Sequence, residues 1–74
     1  MNRTLTVSYD ADGSPVEFKL VDEGGTTILH DIDKEFVQEI LDNLDAGERC
    51  TLKFHDGGEQ VWERGGLVSE SVNA

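Results

Sequence analysis

Asp31 to Gly47, DIDKEFVQEILDNLDAG, is the stretch whose reading decides the fold. Phe36, Val37, Ile40, Leu41 and Leu44 recur at the i, i+1, i+4, i+5, i+8 spacing that lines one side of an α-helix. Asp33 is a natural N-cap, Ile32 and Val37 occupy the N′ and N4 positions of a hydrophobic staple, and Gly47 is a natural C′ residue. The stretch predicts one amphipathic helix, and no other part of the chain reads as one.

The polar side of this helix is unusual. It carries Glu35, Gln38, Glu39, Asp42, Asn43 and Asp45, with Lys34 as its only cation, placed at the end where the helix dipole disfavours it. Glu35 and Glu39 are like charges four residues apart, which costs roughly 0.2–0.5 kcal/mol. Asp42 and Asp45 fall in the expected last turns, where anions cost roughly 0.3–1 kcal/mol each. Burying the large apolar side chains contributes about 1.5–3 kcal/mol apiece before entropy. The helix therefore forms in spite of its charges, and the carboxylates call for an explanation other than stability.

Outward from the helix, composition narrows the possibilities. The chain has 74 residues, 16 acidic against 6 basic, and a net charge of −10. That length makes residues 1–74 a single small domain, with 67–74 either a frayed tail or a short edge strand. The charge repels DNA, RNA and anionic membranes and attracts basic surfaces, so direct nucleic-acid and membrane binding are disfavoured. Cys50, the only cysteine, has no partner for an internal disulfide. MNRTLTVSY lacks an apolar leader core and no run is long enough to span a bilayer, so the expected location is cytoplasmic.

Before the helix, Thr4 to Tyr9 alternates as a half-buried strand, with Leu5, Val7 and Tyr9 on one side. Asp10 to Pro15, DADGSP, is a turn in which Gly13 can take positive φ. Val16 to Val21 alternates again, with Val16, Phe18 and Leu20 expected inward. After Asp22-Glu23-Gly24-Gly25, a short strand from Thr26 to Leu29 leads into the helix, its inward side left open because Ile28 and Leu29 are adjacent. Beyond Gly47, Arg49 to His55 places Cys50, Leu52 and Phe54 inward. Asp56-Gly57-Gly58 turns the chain into Glu59 to Arg64, where adjacent Val61 and Trp62 give both sides an apolar residue. Val68 and Val72 can add an edge strand. The order β-β-β-α-β-β predicts an α+β domain of two layers, a mostly antiparallel sheet with the helix packed on one face; a β-grasp-like arrangement is one candidate topology. Thr4, Thr6, Ser8, Lys19, Thr51 and Lys53 would form a nearly neutral outer sheet face, leaving most carboxylates to the helix and loops.

No motif names a reaction. Asp10-Ala11-Asp12-Gly13 lacks the spacing of an EF-hand loop and reads as a turn. His30-Asp31 and His55-Asp56 offer too few placed ligands for a metal site. Cys50 reads as a buried structural thiol, and the Gly-Gly pairs are not phosphate loops. The expectation is a protein without catalytic residues, cofactor or metal.

The acidic helix face carries the functional expectation. Glu35, Glu39 and Asp42 rise by roughly 6 and then 4.5 Å along the helix axis, a rigid row of negative charge of the general spacing that a nucleic-acid-binding groove receives. Asp31, Glu35, Glu39, Asp42 and Asp45 are the expected partner-binding residues, with Trp62 as the aromatic suited to anchor an interface. The expected function is a small acidic inhibitor that docks on a basic protein or nucleoprotein surface as a nucleic-acid mimic. In size, charge and architecture it resembles in kind the small acidic inhibitors that phages deploy against host defence nucleases, including anti-CRISPR proteins. The alternative is a structural or regulatory interaction module that uses its neutral sheet face or an edge strand, as a homodimer or by strand addition, with the acidity serving solubility or salt adaptation.

Overall fold

Strict alternation makes β1 (Thr4–Tyr9) a strand with one apolar side, and that side becomes the centre of the molecule. The computed structural model describes residues 3–71. β1 is followed by β2 (Pro15–Asp22), β3 (Gly25–Leu29), α1 (Lys34–Asp42), β4 (Arg49–Lys53), β5 (Glu59–Glu63) and β6 (Gly66–Ser71). The strands form one sheet in the order β3-β2-β1-β4-β5-β6. Gly66–Ser71 is thus a sixth strand, whereas Val72 and the two residues after it lie outside the described residues.

The sheet is mixed rather than mostly antiparallel in the simple sense expected: β1 and β4 pair in parallel, and the other four pairings are antiparallel. The cause is the helix. Two tight turns make β3 run in the direction of β1, and α1 then carries the chain back along the sheet before β4 starts. β4 must therefore run like β3 and β1, and it takes the free edge of β1.

Register partners project from the same face, which assigns the core. Leu5 lies opposite Leu20 and Cys50, Val7 opposite Phe18 and Leu52, and Cys50 opposite Trp62. Leu5, Val7, Phe18, Cys50 and Leu52 are buried together with Val37 from α1 and Leu44 beyond it; Val7 and Cys50 are wholly buried. Ile32, Phe36, Ile40 and Leu41 pack around them, and Phe18 meets Phe36 edge-on with ring centroids 5.5 Å apart. Leu29 falls on the core side of β3 and Ile28 on the open side, which settles the ambiguity of that strand.

Three local expectations are corrected. The helix ends at Asp42, not at Gly47. Asn43 closes it, its backbone N–H donating to the carbonyls of Glu39 and Ile40 and its side-chain amide donating to the Glu39 carbonyl at 2.7 Å. Leu44 still reaches the core from the following turn, and Gly47 takes φ 88° within the loop. Second, Val16 is exposed: the register slips between Ser8 and Tyr9, so Pro15 pairs with Tyr9 and Val16 becomes the extra residue of a bulge. Third, β4 stops at Lys53 and β5 at Glu63, each short of the expected end. The N-cap stands as read, with the Asp33 carboxylate accepting the Phe36 N–H at 2.8 Å.

Urea titrations should separate core from cover. Leu52→Ala is expected to cost about 2–5 kcal/mol and Asp33→Ala about 0.5–2 kcal/mol, whereas Ile28→Ala on the open face should change stability by less than about 0.5 kcal/mol.

Candidate protein-binding surface

The carboxylate row is built by helical periodicity acting on a core-anchored element. Val37 is buried, so the opposite side of α1 is fixed outward, and Glu35, Gln38, Glu39 and Asp42 are all exposed there. Gln38 donates to the Asp42 carboxylate at 2.9 Å, which orients the last carboxylate of the row. Among the described residues, the ion pairs are Arg3 with Glu48, Arg3 with Asp45 at 3.7 Å, and Arg49 with Glu63 at 2.8 Å. None of them involves Glu35, Glu39 or Asp42, so the row keeps its charge.

Asp31 is exposed just before the helix, but Asp45 is not on the helix at all. It lies in the loop after α1, where its backbone N–H donates to the Glu48 carboxylate at 2.8 Å and its side chain reaches Arg3. Asp45, expected on the polar side of the helix, thus belongs instead to the Arg3–Glu48 cluster, and the row of Glu35, Glu39 and Asp42 stays on α1. Trp62 stands on β5, on the same side of the sheet as the helix but outside the row. It is half-buried against the core, and its indole N–H donates to Gln60 at 3.2 Å.

The Arg3–Glu48 cluster was not legible in the sequence. Glu48 is buried, at 6% exposure, with its carboxylate held by Arg3 and by the Asp45 N–H. Arg3 and Glu48 each precede one strand of the parallel pair in which Thr4 lies opposite Arg49. Only knowledge of that pairing brings them together.

The open face of the sheet is balanced. Register places Glu17, Glu59 and Glu63 there with Lys19, Arg49 and Lys53, among Thr4, Thr6, Ser8 and Thr51. Three carboxylates meet three cations, so the entire net charge of −10 resides elsewhere, on the helix, loops and strand ends. The open sheet face is thus close to neutral, and the excess lies on the helix, the loops and the strand ends.

Outside this surface, two aspartates organise turns. The Asp10 carboxylate accepts the Asp12 and Ser14 N–H groups at 2.9 and 3.0 Å, and Asp56 accepts the Gly58 N–H at 2.8 Å. These are Asx turns. Among the described residues, no three His, Cys, Asp or Glu side chains stand close enough together to hold a metal ion. His30 and His55 are exposed, each just beyond a different strand. Cys50 is buried at the centre of the sheet, and burial pushes its thiol from an ordinary 9.0 up to about 11. Tyr9 is also raised, first by burial and then by the neighbouring Cys50 thiolate. No described helix is long and apolar enough to cross a membrane.

No protein-family model, no curated protein and no solved structure matches the chain.

The raised thiol has a measurable consequence. Because the folded thiol titrates at about 11 and the unfolded one at 9.0, the neutral thiol stabilises the fold below pH 9.0, and this stability is lost as the pH rises toward 11. Tyr9 acts in the same direction. A thiol-reactive disulfide dye at neutral pH should label Cys50 slowly in the native protein and within the mixing time in denaturant; equally fast labelling in both would show the thiol to be accessible.

Proposed function

We propose that this chain is a small acidic binding protein that docks the outer side of α1 on a basic, nucleic-acid-binding surface of another protein and competes there with nucleic acid. The observation that carries this reading is the separation of charge. A surface kept acidic for solubility alone has no need to segregate its charge, yet here the open sheet face is balanced and the excess lies elsewhere. Glu35, Glu39 and Asp42 span about 10.5 Å of a rigid helix. Successive carboxylates rise by about 6 and then about 4.5 Å, roughly two-thirds of the axial charge density of one strand of DNA, which carries one phosphate per about 3.4 Å. Glu35 and Glu39 repel each other and Asp42 opposes the helix dipole, small folding costs of the kind expected of groups retained for a cationic counterpart.

Asp31, before the helix, and Asp45, after it, extend the acidic surface at its two ends. Trp62 borders the same side of the molecule and contributes apolar area at the margin. Phage inhibitors of host defence nucleases, anti-CRISPR proteins included, are the functional class that this size and charge suit best.

A second reading, a self-associating module with the balanced face between two copies, is favoured by the absence of net charge on that face. Light scattering across a concentration series separates the two: the inhibitor is a monomer, the module a dimer.

The direct test replaces Glu39→Lys together with Asp42→Lys. Binding to a basic nucleic-acid-binding protein captured from the native host should weaken by well over about tenfold, and the bound wild-type protein should release that partner's nucleic acid. Stability should stay level or rise by up to about 1 kcal/mol, since a like-charge pair and an anion near the helix C-terminus are both removed. Undiminished affinity in this variant would rule out the helix row.

A further inference from the structure

The two edges of the sheet are not alike. β6 carries the charged Glu70, held by Gln60 at 2.6 Å, and a bulge at Val68, where the register slips between Val61 and Trp62. Charge and bulging are the devices by which edge strands resist further pairing. β3 has neither. Gly25-Thr26-Thr27-Ile28-Leu29 contains no charge and no proline, pairs with β2 without a slip, and is exposed at every residue. Ile28 is 47% exposed on the open side of the sheet and Leu29 41% exposed on the core side. The strand offers a ladder about 17 Å long with apolar side chains on both faces.

What surrounds this edge selects its occupant. Asp22 and Glu23 lie at the entry to β3, Asp31 and Asp33 just beyond its exit. Antiparallel pairing of two copies through β3 would set the entry carboxylates of each against the exit carboxylates of the other, and parallel pairing would set like ends together. Both self-pairings are repulsive. An incoming strand with cations at its two ends meets the opposite situation.

We propose that the free edge of β3 is a strand-addition site for an extended segment of another protein, apolar and β-branched in its middle and basic at both ends. Backbone hydrogen bonds supply the affinity, as in other sheet-edge recognition, and the bracketing carboxylates supply direction and selectivity. This site shares Asp31 with the acidic surface around the helix but does not depend on Glu35, Glu39 or Asp42.

The test uses the isotope-labelled full chain and a synthetic peptide of alternating Val and Thr flanked by paired lysines. Amide shifts confined to 25–29 and the β2 residues behind them are expected. Affinity should fall by about tenfold or more between about 0.05 and 0.5 M salt, as the screening length shortens. A peptide with glutamates in place of the lysines, and a lysine-flanked peptide with prolines in its middle, should both bind at least about tenfold more weakly, the first lacking charge complementarity and the second unable to pair. Glu23→Gln with Asp31→Asn should weaken binding without loss of fold. Glu39→Lys with Asp42→Lys should leave the shifts at β3 in place, which keeps this result distinct from that of the helix row. Shifts centred on α1 or β6, equal binding of the proline peptide, or a β3-paired homodimer would each overturn the proposal.

Discussion

Everything in this fold is referred to β1. It is flanked by β2 on one side and β4 on the other, and its central Val7 is wholly buried between Phe18 and Leu52 with the helix above. The pairing with β4 is the contact that closes the domain, because it joins the amino-terminal meander to the carboxy-terminal one through residues some 45 apart in the chain. It also determines where charge goes. With β1 and β4 in register, Arg3 meets the buried Glu48, and the strand cations Lys19, Arg49 and Lys53 come to one face with Glu17, Glu59 and Glu63. A one-residue slip would turn Cys50 and Leu52 to solvent and Arg49 and Lys53 toward the core.

This explains which features could be read in advance. Strands with strict alternation, such as Thr4–Tyr9, and the capped start of the helix at Asp33 follow from residues within a few positions of one another. So did the two-sided apolar character of Val61 and Trp62 and the inward orientation of Cys50. The helix end is hidden from the sequence because Leu44 keeps helical spacing and is buried, yet reaches the core from a turn that Asn43 and Glu48 organise. The exposure of Val16 is hidden for a similar reason: a bulge shifts the alternation by one residue, and the alternation itself carries no mark of it. The parallel pairing and the Glu48 cluster depend on contacts between distant segments, for which periodicity holds no signal. Of the candidate surface, the helix row was legible and Asp45 was not, for the same reason that the helix end was not.

Size and shape then set what surface the molecule can offer. Six strands about 4.8 Å apart span about 24 Å, whereas a nine-residue helix is about 13.5 Å long and about 10 Å across. One short helix cannot cover such a sheet. Leu29 at one edge and Leu67 at the other stay exposed on the helix side, and the whole opposite face is open. Wide exposed sheets in a small domain invite association, and the sequence restrains it in two ways. Cross-strand opposite charges, as in Arg49 with Glu63, hydrate the open face, and like charges elsewhere repel other copies.

The same carboxylates that keep copies apart do not repel every partner. Repulsion between equal molecules and attraction toward a cationic one are a single electrostatic property, and here the excess charge lies on the helix, the loops and the strand ends rather than on the open sheet face. The acidity therefore raises the energy of self-association and lowers that of docking on a basic surface at once. A sequence selected only for solubility could have scattered its charge over both faces of the sheet. Balancing the open face while loading the helix, loops and strand ends makes the placement of charge, rather than its total, the feature on which the proposed docking rests.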